Sequence, residues 1–241
     1  MNKLDILVFG AHPDDAELGA GGTIAKETQA GKKVGVIDLT CGELGTRGTP
    51  ELRDQEAQRA AELLGLEIRE NLGMADGFFE VNRENQLLLI QKVRQYQPDI
   101  VLCNAVDDRH IDHGKGSRLQ SEACFLSGLR KIETLDPKTG ELQDPWRPQW
   151  VYHYIQWKNL EPDFAVDISG FMETKIEAIK AYSSQFFDPD STEPETPISS
   201  RNFFESVRYR AQDLGRLVGV EYAEGFTTER LPAVDRLGNL R

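Results

Sequence analysis

Leu4-Asp5-Ile6-Leu7-Val8-Phe9-Gly10-Ala11-His12-Pro13-Asp14-Asp15 passes from a strand-length apolar run directly into a turn crowded with titratable groups. Similar apolar runs recur at 33–40, 67–72, 99–105 and 150–157, with shorter ones near 164–168 and 220–223. Segments of helical period separate the first four, near 16–30, 51–64 and 84–96. Leu87, Ile90 and Val93 keep i, i+3, i+6 spacing there, and Met172, Ile176 and Ile179 mark a later helix at i, i+4, i+7. Strand alternating with covering helix predicts an α/β fold, a Rossmann-like and mostly parallel sheet with helices on both faces.

Sheets of this kind bind ligands outside the carboxyl ends of their strands. The unusual polar clusters all follow such ends: His12-Pro13-Asp14-Asp15 after the first, Gly42 to Gly48 after the second, and Asp107-Asp108-Arg109-His110-Ile111-Asp112-His113 after the fourth. The chain has no internal repeat, and its 241 residues suit a single domain over 1–241 that buries roughly 70–75% of its unfolded surface. The acidic, proline-rich stretch Asp188 to Pro197 reads as a surface loop and not a domain boundary.

Lys+Arg 28 against Asp+Glu 40 gives a net charge of −12, which repels phosphate backbones and anionic lipid alike and excludes nucleic acid and membrane as expected partners. The apolar opening is interrupted by Asp5 and is too brief for a signal-peptide core or a membrane span. Cys41, Cys103 and Cys124 have no metal-like spacing, and their odd number fits a reducing, cytoplasmic setting. Cys103, in an apolar run, reads as core.

Catalytic zinc takes three imidazole or carboxylate ligands and leaves the fourth position for water. His12 and Asp15 are near enough in sequence to reach one ion, and the third ligand must come from elsewhere. Four histidines exist, and His110 and His113 stand together after another strand. The fourth, His153, sits inside an apolar run and reads as structural. Of the Asp14/Asp15 pair, one carboxylate can bind metal while the other stays free as general base for the bound water. His110, if charged, could stabilise a tetrahedral oxyanion or protonate a leaving amine with Asp112 as its partner, or it could be a fourth ligand. Arg47, Arg53 and Arg109 fall in the same strand-end regions and could anchor a substrate carboxylate, against the alternative of ordinary salt bridging. Gly19, Gly21 and Gly22 lack dinucleotide-fingerprint spacing and read as close packing of the first helix.

Ala11-His12-Pro13-Asp14-Asp15-Ala16-Glu17-Leu18-Gly19-Ala20-Gly21-Gly22-Thr23 resembles the opening motif of the PIG-L/LmbE-type de-N-acetylases, zinc enzymes that remove acetyl groups from N-acetylglucosamine (GlcNAc) derivatives, and His110-Ile111-Asp112-His113 resembles their second motif. Gly45 to Thr49, Glu51 to Arg53, Trp146 to Pro148, Pro162 to Phe164 and Glu221 to Phe226 are similar to the bacillithiol-biosynthesis deacetylases, which act on N-acetylglucosaminyl-malate. The similarity runs from about residue 4 to 228. It implies His12, Asp15 and His113 as ligands of Zn2+, with Fe2+ or Co2+ as alternatives. It also implies Asp14 as base, His110 as the charged group at the intermediate, Arg53 and Arg109 near malyl carboxylates, a small amino-sugar conjugate as substrate, and a homo-oligomer, commonly a hexamer. Ile111 stands where the second motif commonly has proline, and Cys41 where close relatives carry arginine.

Overall fold

The computed structural model describes residues 3–236 and Gly238. Met1 and Asn2, which open the N-terminal run, and the other residues at the far end of the expected 1–241 span lie outside the described residues. Seven strands form one sheet: β1 (Ile6–Gly10), β2 (Val34–Thr40), β3 (Ile68–Met74), β4 (Ile100–Cys103), β5 (Trp150–Tyr154), β6 (Phe164–Asp167) and β7 (Ala223–Thr228). Their order is β3-β2-β1-β4-β5-β7-β6. The first five are mutually parallel, and β7 runs antiparallel to both β5 and β6.

The central strand β1 is buried along its whole length, so it reads as a continuous apolar run instead of an alternating one. Ile6 and Val8 join the core on one face, Leu7 and Phe9 the core on the other. The helices are α1 (Asp15–Gln29), α2 (Pro50–Leu64), α3 (Arg83–Tyr96), α4 (Ile111–Leu126), α5 (Met172–Lys180) and α6 (Arg201–Val218). α1, α2, α5 and α6 contribute to the first core, α3 and α4 to the second. The side chain of Thr49 accepts a hydrogen bond from the Leu52 amide at 3.2 Å to start α2, and Pro50 occupies the first turn, where its missing N–H costs nothing.

Apolar period in the sequence does not mark α4, whereas α6, absent from the strands and helices expected above, does carry one: Phe203, Phe204, Val207, Ala211 and Leu214 recur at helical spacing. The buried face of α4 carries His113, Gly116, Ser117 and Gln120, small or polar residues that erase the pattern. The last strand begins later than the 220–223 expected, because α6 continues to Val218 and ends on Gly219 at φ 76°. Residues 188–197 form a largely exposed loop, as anticipated. A Cβ on Gly19 would lie 2.1 Å from the Tyr154 ring, and one on Gly22 2.6 Å from Ile168. These glycines let α1 press onto the sheet. No helix among the described residues is long and apolar enough to cross a membrane.

Since β1 lies between β2 and β4, the connections leaving β1 and β4 diverge around it. That is where a crevice opens in such sheets, and it receives residues 11–14 and 104–110.

Candidate metal centre

His12 follows β1, and Asp14 caps α1 with φ 119°. An L-residue there is strained, a conformation that persists only when surroundings impose it. Arg53 from α2 supplies the constraint: its Nη2 donates to Pro13 O at 2.7 Å and to Asp14 Oδ2 at 3.2 Å, and its Nη1 to Gly42 O at 3.2 Å.

Asp15, the first residue of α1, reaches both flanking histidines: its Oδ2 is 3.6 Å from His12 Nδ1 and its Oδ1 3.1 Å from His113 Nε2. The remaining acceptor sites of Asp15 take the His12 amide (3.0 Å), Asn104 Nδ2 (3.0 Å) and Gln156 Nε2 (2.7 Å). Each histidine has its far nitrogen held by carboxylate. His12 Nε2 lies 3.0 Å from Asp76 and 3.4 Å from Asp112, and His113 Nδ1 lies 2.7 Å from Asp108. Such partners fix the tautomer so that the other nitrogen offers a lone pair. A second acidic grouping, His12 with Asp76 and Asp112, is therefore read as this orienting layer. Asp76 also accepts the Leu44 amide and Asp112 the Gly77 amide, which ties two loops to His12.

Nitrogens of His12, His110 and His113 lie within 4.8 Å of one another. His110 differs from the other two. Its Nδ1 accepts the Asp112 amide at 3.3 Å as the cap of α4, so its neutral ring carries hydrogen on Nε2 and is a donor, unsuited to ligation. The Asp112 carboxylate, expected beside His110, instead faces His12, Lys115 and the Gly77 amide. Burial, then the nearby His12 and His113, lower the pKa of His110.

Electrostatics separate the two adjacent carboxyls. Burial pushes Asp14 up to about 7, with Arg53 partly offsetting this and Asp15 reinforcing it. Burial would raise Asp15 too, but His113 and His12 outweigh it and hold Asp15 well below the usual carboxylate range. Burial opposes charging His113, yet Asp15 and Asp108 prevail and raise it to about 9. A cation placed among these groups would take over the role of those protons. The donor set of two oriented imidazoles and one carboxylate fits a divalent ion.

The arginines separate rather than converge. Arg53 is 5% exposed and spends both terminal nitrogens on the turn it supports. Arg47, equally buried, bonds Ser191 and Glu193 of the exposed loop and does not line the cavity. Only Arg109 remains at the opening, 4.6 Å over the Trp157 ring. Arg210 of α6, absent from the sequence reading, lines the same cavity and makes one 3.4 Å bond to Lys158 O. Neither Arg109 nor Arg210 forms an ion pair among the described residues. The cavity has a volume of about 1080 Å³ and runs from His12 to apolar walls at Leu160, Phe203 and Leu214. Asp76, Asn104 and Gln156 also escaped the sequence reading, although each closely follows a strand and the strand-end rule could have found it. His153 is structural, as expected: its ring bonds Ser117, Asn104 O and Glu229.

The GlcNAc-PI de-N-acetylase (PIG-L) family matches residues 7–124. The diacetylchitobiose deacetylase of Thermococcus kodakarensis is 33% identical over 230 residues, 91% of this chain and 81% of that protein. The 4-oxalmesaconate hydratase of Pseudomonas putida is 27% identical over 74% of this chain and 73% of its own. Among solved structures, the conserved protein TT1542 from Thermus thermophilus superposes with a TM-score of 0.85 at 36% identity, covering 97% of this chain and 98% of that one. With a matching fold, near-full-length identity to a deacetylase and a His/Asp group able to hold a metal, the chain belongs to the PIG-L family and is an enzyme acting on an amide.

Proposed function

We propose that this protein hydrolyses the acetamide of a GlcNAc conjugate using a divalent ion held by His12, Asp15 and His113, and that its preferred substrate is N-acetylglucosaminyl-malate, as in bacillithiol biosynthesis. The observation that carries the chemistry is geometric: Asp15 meets His12 Nδ1 at 3.6 Å and His113 Nε2 at 3.1 Å, while the adjacent Asp14 turns to Arg53 at 3.2 Å; the raised pKa of Asp14, about 7, beside an Asp15 held well below the usual range accords with that division. Groups whose environments drive them apart in this way suit different tasks. When bound, the ion supplies Lewis acidity toward the acetyl carbonyl and lowers the pKa of water to about 7. Asp14 accepts the proton of the attacking water and delivers it to the departing nitrogen, so that acetate and a free amine result. His110, neutral and donating, stabilises the oxygen that gains charge. Zn2+ is the proposed ion, and Fe2+ or Co2+ suits the same donors.

The malyl preference is supported by Arg109 and Arg210, cavity-lining cations without carboxylate partners among the described residues in a chain of net charge −12. A neutral disaccharide is the competing reading, favoured by identity to the diacetylchitobiose deacetylase. An inositol conjugate or a bacillithiol S-conjugate keeps the same chemistry. A single domain over 1–241, a cytoplasmic location and a homo-oligomer, hexameric by resemblance, belong to the same proposal.

Acetate release from N-acetylglucosaminyl-malate, diacetylchitobiose and free GlcNAc, with metal content determined on the same sample, tests these readings. Faster turnover of the malyl conjugate supports the proposal, and faster turnover of the disaccharide replaces its substrate. No acetate from any of them, with hydration of an unsaturated acid, would place the activity beside that of the Pseudomonas relative.

A further inference from the structure

Glu224 of β7 and Lys175 of α5 are 4% and 3% exposed, and both reach α1 midway along its length. Glu224 accepts the Gly22 amide at 2.9 Å and the Thr23 amide at 2.7 Å. Lys175 Nζ donates to Leu18 O at 2.9 Å and to Glu224 Oε1 at 2.5 Å. In an undisturbed helix the Gly22 amide would serve Leu18 O and the Thr23 amide Gly19 O. Here two consecutive mid-helix amides face a carboxylate, and the Leu18 carbonyl faces an ammonium. A side chain inserted into the helical ladder is a recognised origin of a bend.

Small residues admit the pair: a Cβ on Gly21 would sit 3.2 Å from Lys175 Cγ. A buried ion pair is a weak source of stability, since apolar replacement is often neutral, but it fixes geometry. The part of α1 on the N-terminal side of the insertion is its first two turns, which begin at Asp15 and are capped by Asp14. None of the chemistry described above uses Lys175 or Glu224.

We infer that the Lys175–Glu224 pair positions Asp14 and Asp15 by setting the direction of the first two turns of α1. These are positioning residues acting through the helix. The inference rests on the proposed function only for its kinetic readout.

Glu224→Ala removes the acceptor, whereas Glu224→Gln keeps one. Three measurements on the full chain decide: amide hydrogen exchange over residues 15–23, Zn2+ affinity by chelator competition, and kcat and KM for deacetylation. For Glu224→Ala, faster exchange over 15–23 is expected, with kcat and Zn2+ affinity lower by about 10²-fold and KM within about threefold, as a misplacement near 1 Å can cause. Glu224→Gln should recover most of each loss. Unchanged exchange over 15–23, or kcat per folded molecule within about twofold of the parent, overturns the inference. If Glu224→Ala does not fold, the neutral double variant Lys175→Met/Glu224→Met, which keeps no acceptor and fills the same space, is read by the same criteria. A parent that releases no acetate defeats the functional reading alone, and exchange with metal affinity then decides this one.

Discussion

The two ends of the cavity are built differently. At the closed end nearly every titratable side chain is committed: His12 to Asp76 and Asp112, His113 to Asp108, Asp15 to Asn104 and Gln156, Asp14 to Arg53. At the open end Trp157, Leu160, Phe203 and Leu214 offer surface, and Arg109 and Arg210 are cations without acid partners among the described residues. Groups locked by their neighbours are already arranged for the transition state. Side chains at the open end can change without disturbing that arrangement as long as the backbone at 157–158 keeps its bonds to Asp108. Chemistry common to a family and a substrate particular to one member can therefore share one cavity.

The largest effect expected separates ligands from everything else. His113→Ala or Asp15→Ala should abolish stoichiometric metal binding and acetate release together, as exhaustive chelation of the parent should. Retained metal, measured by elemental analysis of the purified variant, would break the assignment of the closed end.

Asp14→Asn should keep the metal and lower kcat by about 10²–10⁴-fold, the usual contribution of a general base. A base must be deprotonated, so kcat/KM should rise with pH through the pKa of Asp14. That group stands at about 7 without a cation, and a bound divalent ion lowers it, so the acidic limb should lie at or below pH 7. A limb that persists in Asp14→Asn would assign it elsewhere.

Asp108→Asn should weaken metal affinity by about 10–100-fold, the scale for partners that orient a ligand. The His113 ring would lose the charge of its carboxylate, and with one acceptor oxygen left the side chain can no longer serve both the Lys158 amide, now on Oδ1, and the His113 ring and Trp157 amide, now on Oδ2. Titration with a metal-sensitive chelator measures this. Both ends are coupled through Asp108, so a shift in substrate preference should accompany the lost affinity.

The smallest effects concern the open end. Arg210→Ala should cost about 10-fold in kcat/KM for the malyl conjugate and little for a neutral glycoside, in keeping with about 1.5 kcal/mol, the lower end for a hydrogen bond to a charged group. Arg47→Ala should leave both substrates nearly unaffected, because that guanidinium faces Ser191 and Glu193. Equal losses on charged and neutral substrates would erase the distinction between the two ends.

Much of the closed end is legible in the sequence. Periodicity locates the strands, and the strand-end rule directs attention to His12, Asp14, Asp15, His110 and His113. Arg53 shows where that reading stops. Its sequence position suggests a substrate anchor, but no local pattern reveals that a guanidinium from α2 will close on the Pro13 carbonyl and the Asp14 carboxylate. Arg210 lies on α6, whose apolar stripe at Phe203, Val207, Ala211 and Leu214 is legible in the sequence, but which residue of that helix reaches the cavity beside Arg109 depends on how the helix docks. Asp112 is correctly drawn toward the site but to the wrong neighbour, since adjacency in sequence favours His110 while α4 turns the carboxylate toward His12.

The sequence by itself determined the α/β class, the succession of the first strands and helices along the chain, and which residues gather at the strand ends, because periodicity and burial of apolar runs are local and repetitive. Only the tertiary structure decided which nitrogen of each histidine is free, which arginines are already occupied, and that a buried ion pair from α5 and β7 enters α1. Those properties depend on distances between side chains far apart in sequence, and hydrogen bonding and charge are set by such distances rather than by spacing along the chain.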